Sequence, residues 1–183
     1  LSGDCAVIGG GSFNSGSGEG STISGGSGSS AGGVMSTIGG GFHNTASKIY
    51  STVGGGACNQ ATGNCSTIAG GCGNVASSFV ATIVGGRSNT ASSNYTVVGG
   101  CGHTAAAIAT TIFGRNNANT TSGKYATISG GYRNCIANPG TFGAIGGGLE
   151  NVASGSLSVV AGGSGSIACG IISTVGGGSH NTA

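Results

Sequence analysis

The sequence predicts an all-β protein: a parallel β-solenoid (a β-roll or β-helix) of about fifteen residues per coil and twelve coils. Three observations predict it. An aliphatic residue recurs at Ile8, Ile23, Ile38, Val53, Ile68, Ile83, Val97, Ile112, Ile128, Ile145, Val160 and Val175, with spacings of 15, 15, 15, 15, 15, 14, 15, 16, 17, 15 and 15. Periods of this kind mark repeat architectures. Glycine supplies 44 of the 183 residues beside abundant Ile, Val and Thr, a composition hostile to helix and favourable to strand. Charged residues are only 4%, so the low complexity is not that of a charged, disordered chain. The single proline excludes a collagen pattern.

The repeat reads S-T-[IV]-x-G-G-x-x-N-x-A-S-x-x-x, and each part has a task. The S-T-[IV] segment is a short strand that turns its anchor inward. The Gly pair after it makes a corner that needs positive φ or close backbone approach. Every copy has Gly two residues after the anchor, and the next column is Gly in all but one, where Arg115 stands. Asn recurs six residues after the anchor, and Asn44, Asn59, Asn74 and Asn89 form its regular run. Asn tolerates the left-handed region and can stack its amide on the next coil, so a second corner is expected there. The N-x-A-S segment returns the chain with Ala inward. The whole chain, 1–183, reads as one repetitive domain. Residues 1–33 are its weaker N-terminal coils, poor in apolar side chains. Residues 133–147, with the only proline and the longest spacing, read as a loop inserted between coils.

Alternation in a strand sets the expectation for assembly. Three residues before the anchor stands a second apolar column that includes Tyr50, Val80, Tyr125, Phe142, Leu157 and Ile172. Parity places it on the face opposite the anchor, and a stripe of that length exceeds what a soluble monomer usually exposes. Either a corner separates the two columns and both point inward, or the stripe is a subunit interface. Burial per coil is small against the entropy of ordering fifteen residues, which favours shared burial between chains.

The ladder YSTVGGGACNQATGNCSTIAGG, residues 50–71, resembles the head repeats of trimeric autotransporter adhesins and the glycine-rich repeats of phage and large-virus fibres. The resemblance covers almost the whole chain. It implies a left-handed, commonly trimeric β-roll serving as a rigid attachment head or stalk at an extracellular, cell-surface or virion-surface location. It transfers no catalytic residue. The seven cysteines favour a viral fibre or a eukaryotic product over a bacterial autotransporter, whose heads are usually poor in Cys.

Five scattered cations build no basic patch, which argues against nucleic-acid binding. No apolar run approaches membrane length. The chain shows no signal peptide and does not begin with Met, so an internal or processed start is expected. Asp4, Glu19 and Glu150 are the only carboxylates and make no catalytic pair. Neither an enzyme, a cofactor nor a metal is expected. GCGNVA, GCGHTA and GSGSIA satisfy a loose dinucleotide pattern, but they recur with the repeat and open no helix. Cys58 and Cys72 lie near equivalent corners of adjacent coils, where either a staple or two free thiols in a reducing compartment would fit. Asn64, Asn94 and Asn119 head glycosylation sequons.

The expected partners are other copies of the chain and a host-surface receptor or glycan. The expected contact corner carries Phe42, His43, Arg87, Tyr132, Arg133, Leu149 and Glu150, although an ordinary solvated corner would look the same. Two alternatives stand beside the fibre. One is an ice-binding protein using an outward ladder of Thr22, Thr37, Thr52, Thr67, Thr82, Thr96, Thr111 and Thr127. The other is a carbohydrate-binding or carbohydrate-cleaving protein of tail-spike type.

Overall fold

The structure, a computed structural model, describes residues 2–119, 123–137 and 140–183. Among these residues there is no helix, and none therefore long and apolar enough to cross a membrane. The fold is a parallel β-solenoid of about fifteen residues per coil, whose anchor strands bound about eleven turns. Contacts divide the chain into two compact units, Leu1–Ala91 and Ser92–Ala183.

In the first unit the anchor strands are Val7–Ile8, Thr22–Ile23, Thr37–Ile38, Thr52–Val53, Thr67–Ile68 and Thr82–Arg87. They pair in parallel and in register, so that Ile23, Ile38, Val53, Ile68 and Ile83 form one column. The return strands run from Ser15–Gly16 to Thr90–Ala91 and align Ala31, Ala46, Ala61, Ala76 and Ala91. Single bridges link Ser12, Ser27, Phe42, Ala57, Cys72 and Arg87 along a third side. Residues 2–33 run in these same ladders.

The second unit repeats the plan. Its anchor strands are Val97–Cys101, Thr111–Arg115, Thr127–Ile128, Ala144–Ile145, Val159–Val160 and Thr174–Val175. The return strands run from Thr104–Ala105 to Ile167–Ala168, and the third side links Arg115, Tyr132, Leu149, Ser164 and Ser179.

Most coils bury one Ile or Val, one small residue of the return strand and one Ser, Thr or Ala two residues before the anchor. Ile23, Ile38, Val53, Ile68, Ile83, Ile112, Ile128, Ile145 and Val160 are fully buried, Val175 nearly so, and Ile8 half-buried. Such an interior is narrow, and burial of each aliphatic side chain contributes only about 2–3 kcal/mol. The inter-coil backbone hydrogen bonds, such as Thr37 N to Ser51 O at 2.9 Å and Gly39 N to Val53 O at 2.9 Å, recur on every side.

One anchor differs from the sequence reading. Val98, not Val97, pairs with Ile112 and is buried, while Val97 pairs with Thr111 and faces out. In Tyr-Thr-Val-Val the first Val takes the place Thr holds elsewhere. Thr96 then falls in the buried Ser column, and its hydroxyl donates to Ser93 O as Ser51 Oγ does to Lys48 O. The residue three before this anchor is accordingly Tyr95 rather than Asn94.

The same shift explains Arg115. Glycines of the second column, such as Gly56 (φ +90°), sit where a Cβ would strike the carbonyl oxygen of Gly71 in the next coil. The Gly before it, Gly55, faces open space. In the shortened coils Gly100 and Gly114 hold the demanding position, with the next coil's carbonyl against the site of a Cβ. The residue lost is the tolerant one, and Arg115 belongs to the outward column of Tyr132.

Most of the expected loop 133–147 is coil: residues 133–137 and 140–147 stay in the coil, with Cys135 and Ile136 paired to Val152 and Ala153. Residues 138 and 139, which hold the proline, lie outside the described residues. Larger inward side chains accompany the two longest spacings: Asn119 and Ile136 occupy the Ala column and are buried.

Candidate functional site

Two corners and one strand face carry the side chains that the coil itself does not use. The first corner precedes each anchor strand. Met35, Tyr50, Cys65 and Val80 in the first unit, and Tyr95, Ala109, Tyr125, Phe142, Leu157 and Ile172 in the second, all have φ between +53° and +60°. The left-handed region is uncommon for non-glycine residues and a clear outlier for β-branched Val80 and Ile172. Alternation therefore fails at this column. A turn lies between it and the anchor, as the first of the two readings required, but its side chains point outward rather than into the core.

Tyr50, Tyr125, Phe142, Leu157 and Ile172 are each more than half exposed, and Val80 is partly covered. The preceding turn residues Val34, Ile49, Phe79 and Ile171 widen the ridge with further exposed apolar groups. Tyr125 and Phe142 stack across adjacent coils with ring centroids 5.1 Å apart. The backbone is held in place from both sides. Tyr50 N donates to Val34 O of the previous coil at 2.9 Å, and Ser51 N closes the turn onto Lys48 O at 3.0 Å.

The second corner lies beyond the glycines. Here the left-handed residue is the one before the Asn, such as His43, Cys58 or Arg133. The Asn itself is not the corner but a buried inward group. Asn44 Nδ2 donates to Gly40 O and Gly56 O, each at 2.9 Å, while its Oδ1 accepts from Asn59 N at 3.0 Å. Asn59, Asn74 and Asn89 continue this chain. In the second unit His103 opens the column, followed by Asn117, Asn134 and Asn151. Thus the Asn run is scaffold, and it turns the neighbouring residues outward.

Those outward residues include the expected contact corner. In the first unit Phe42 and His43 meet edge to face at 4.1 Å, with Arg87 farther along the same column. In the second unit Tyr132 lies between two guanidinium groups, Arg115 at 5.7 Å and Arg133 at 5.1 Å. Arg133 also pairs with Glu150 at 3.0 Å, beside exposed Leu149. The hydrogen bond that Arg133 donates to Glu150, aided by Tyr132 and by the charge of Glu150, raises the Arg133 pKa above its ordinary value. Being exposed, the pair orients side chains more than it stabilises the fold. Arg115, which sequence spacing assigned to the glycine corner, is the member of this cluster that sequence reasoning missed.

The anchor-strand face carries Thr22, Thr37, Thr52, Thr67 and Thr82, in register and half-exposed. In the second unit the same column reads Val97, Thr111, Thr127, Ala144, Val159 and Thr174. Of the sequon residues, Asn64 is exposed and Asn94 half-buried. Asn119 points into the coil, where its Nδ2 donates to Gly123 O, so it presents no amide to a glycosylating enzyme in the folded chain. No group of three His, Cys, Asp or Glu side chains placed to hold a metal occurs among the described residues. No protein-family model and no curated protein matches the chain.

Proposed function

We propose that the chain is a structural and adhesive segment of an extracellular or virion-surface fibre. It self-associates, with a trimer as the expected state, through the left-handed apolar ridge of each unit, which includes Tyr50 and Val80 in the first and Tyr125, Phe142, Leu157 and Ile172 in the second. The observation that carries this reading is that ridge. Bulky side chains sit in a backbone region costing about 1–2 kcal/mol per residue, at an exposed position where Gly would fit without cost. Strain of this kind at a surface points to use of the side chain rather than to the needs of the coil. Burial against other copies would remove the exposed apolar stripe.

The second corner then serves as the display surface toward a host receptor or glycan, with Arg115 added to Tyr132, Arg133, Leu149 and Glu150. Weak contacts repeated from chain to chain would gain by avidity. The mass of the purified chain in solution, measured across a concentration series, tests the assembly. A trimer supports it, and a monodisperse monomer at high micromolar concentration overturns it. Binding of the assembled protein to a glycan array, lost on Tyr132→Ala, tests the display surface.

The five-residue Thr run from Thr22 to Thr82 favours a second reading, ice binding, since it is outward and in register. Thermal hysteresis at high protein concentration would support that reading, and its absence would remove it.

A further inference from the structure

We propose that Cys58 and Cys72 form a disulfide that staples two successive coils of the first unit in an oxidising environment. Both residues are free and exposed in the thiol form. Ala57 and Cys72 are direct partners on the third side of the coil, and Cys58 follows Ala57. With coils about 4.8 Å apart and consecutive Cα atoms 3.8 Å apart, the Cys58 and Cys72 Cα atoms stand on a diagonal of about 6 Å. A disulfide accepts Cα separations of about 4.4–6.8 Å.

Side-chain directions at this corner agree. Phe42 and His43, which occupy the same two columns one coil earlier, bring their rings within 4.1 Å. Ser12 and Ser27, in the column of Cys72, bring their hydroxyls to 3.0 Å across adjacent coils. Side chains of the two columns therefore share one side of the corner, and those of neighbouring coils reach each other. The ladder bonds from Cys58 N to Phe42 O and from Cys72 N to Gly86 O use backbone alone, so a bridge leaves them in place. The unit's other cysteines, Cys5 and Cys65, lie on the opposite, anchor-side corner, with φ of +55° each and four coils apart.

The oxidant is a small-molecule disulfide such as oxidised glutathione. The thiolate of one cysteine attacks it, forming a mixed disulfide and releasing one glutathione thiolate. The second cysteine's thiolate then attacks the protein sulfur of the mixed disulfide and releases the other. Each protein thiol has lost one electron and one proton, and the reagent has become two thiols.

The full chain, equilibrated with a glutathione redox buffer, is to be alkylated, cut with thermolysin and mapped by mass spectrometry without reduction. The expected result is protection of two of the seven thiols, a peptide linking Cys58 to Cys72, and a raised Tm that falls back on reduction. Cys65→Ser should leave the linked peptide intact, and Cys58→Ser should abolish both it and the Tm shift. Seven freely alkylated thiols at an oxidising poise would overturn the proposal. So would Cys58 joined to Cys65, or a bond found only between chains. The inference needs only an oxidising environment, so a monomer in solution would sink the assembly reading and leave this one standing.

Discussion

Asn117 donates its backbone N–H to Nδ1 of His103 at 3.1 Å, where Asn59 donates to the side-chain oxygen of Asn44 at 3.0 Å. His103 Nε2 meets Gly114 O at 2.8 Å, just as Asn59 Nδ2 meets Gly71 O at 2.9 Å. The two ring nitrogens reproduce the acceptor and donor of the amide, which fixes the tautomer with its proton on Nε2. His103→Asn should therefore fold with unchanged or slightly raised stability. His103→Ala would strand a buried N–H and a part-buried carbonyl and should cost about 1–3 kcal/mol. Thermal and denaturant unfolding of the two variants checks both, and equal losses would contradict the equivalence.

Two adjacent glycines are expected to behave oppositely. Gly55→Ala places a methyl in open space, whereas Gly56→Ala drives it onto the Gly71 carbonyl at a φ of +90°. The first should change stability by less than about 1 kcal/mol, and the second should cost at least about 1–3 kcal/mol through strain and a displaced coil. Denaturant midpoints of the paired variants decide the matter, and similar costs would refute the assignment of the demanding position.

At the left-handed ridge, stability and association should separate. Ile172→Gly and Val80→Gly relieve a conformation costing about 1–2 kcal/mol and remove side chains that are not fully buried. Each variant should keep or raise the Tm of the coil. If the ridge joins copies of the chain, the same variants should weaken self-association, read as a rise in the dissociation constant by sedimentation. A fall in Tm without any change in mass would mean that the ridge serves the coil alone.

The solenoid was legible because its determinants are periodic. Ile68 stacks on Val53 for the same reason that fifteen residues separate them in sequence. What the sequence hid lies where periodicity slips. Val97 and Val98 are both suitable anchors, and only the pairing of Val98 with Ile112 decides between them. His103 already stands six residues after Val97, in the Asn column, but only the contacts of its two ring nitrogens show that it does the work of the amide. Alternation put the apolar column outward but for the wrong reason, since it assumes extended backbone and the column sits at φ near +55° instead. Asn residues suit a left-handed corner, yet Asn44 and its successors are inward, and His43, Cys58 and Arg133 make the turn. The second corner was visible as variable residues after the glycines, but Arg115 joined it only once register was known.

Ile136 shows how a longer coil is filled. It replaces Ala in the return-strand column, pairs with Asn119 and Ala153, and is fully buried. A Cβ added at Gly140 or Gly143 would stand 2.7 or 3.2 Å from its Cγ2, so the glycines beside it make room for the branch. Ile136→Ala should leave a cavity in a coil too wide for Ala and cost about 2–5 kcal/mol. Ala61→Ile, in a coil of ordinary length with Ala61 fully buried, should overpack and cost about 1–3 kcal/mol. The sum of the pair distinguishes a width set by coil length from one set by composition. Both substitutions must destabilise, as read by denaturant unfolding, and a neutral Ala61→Ile would show that ordinary coils hold space that the fully buried Ala column conceals.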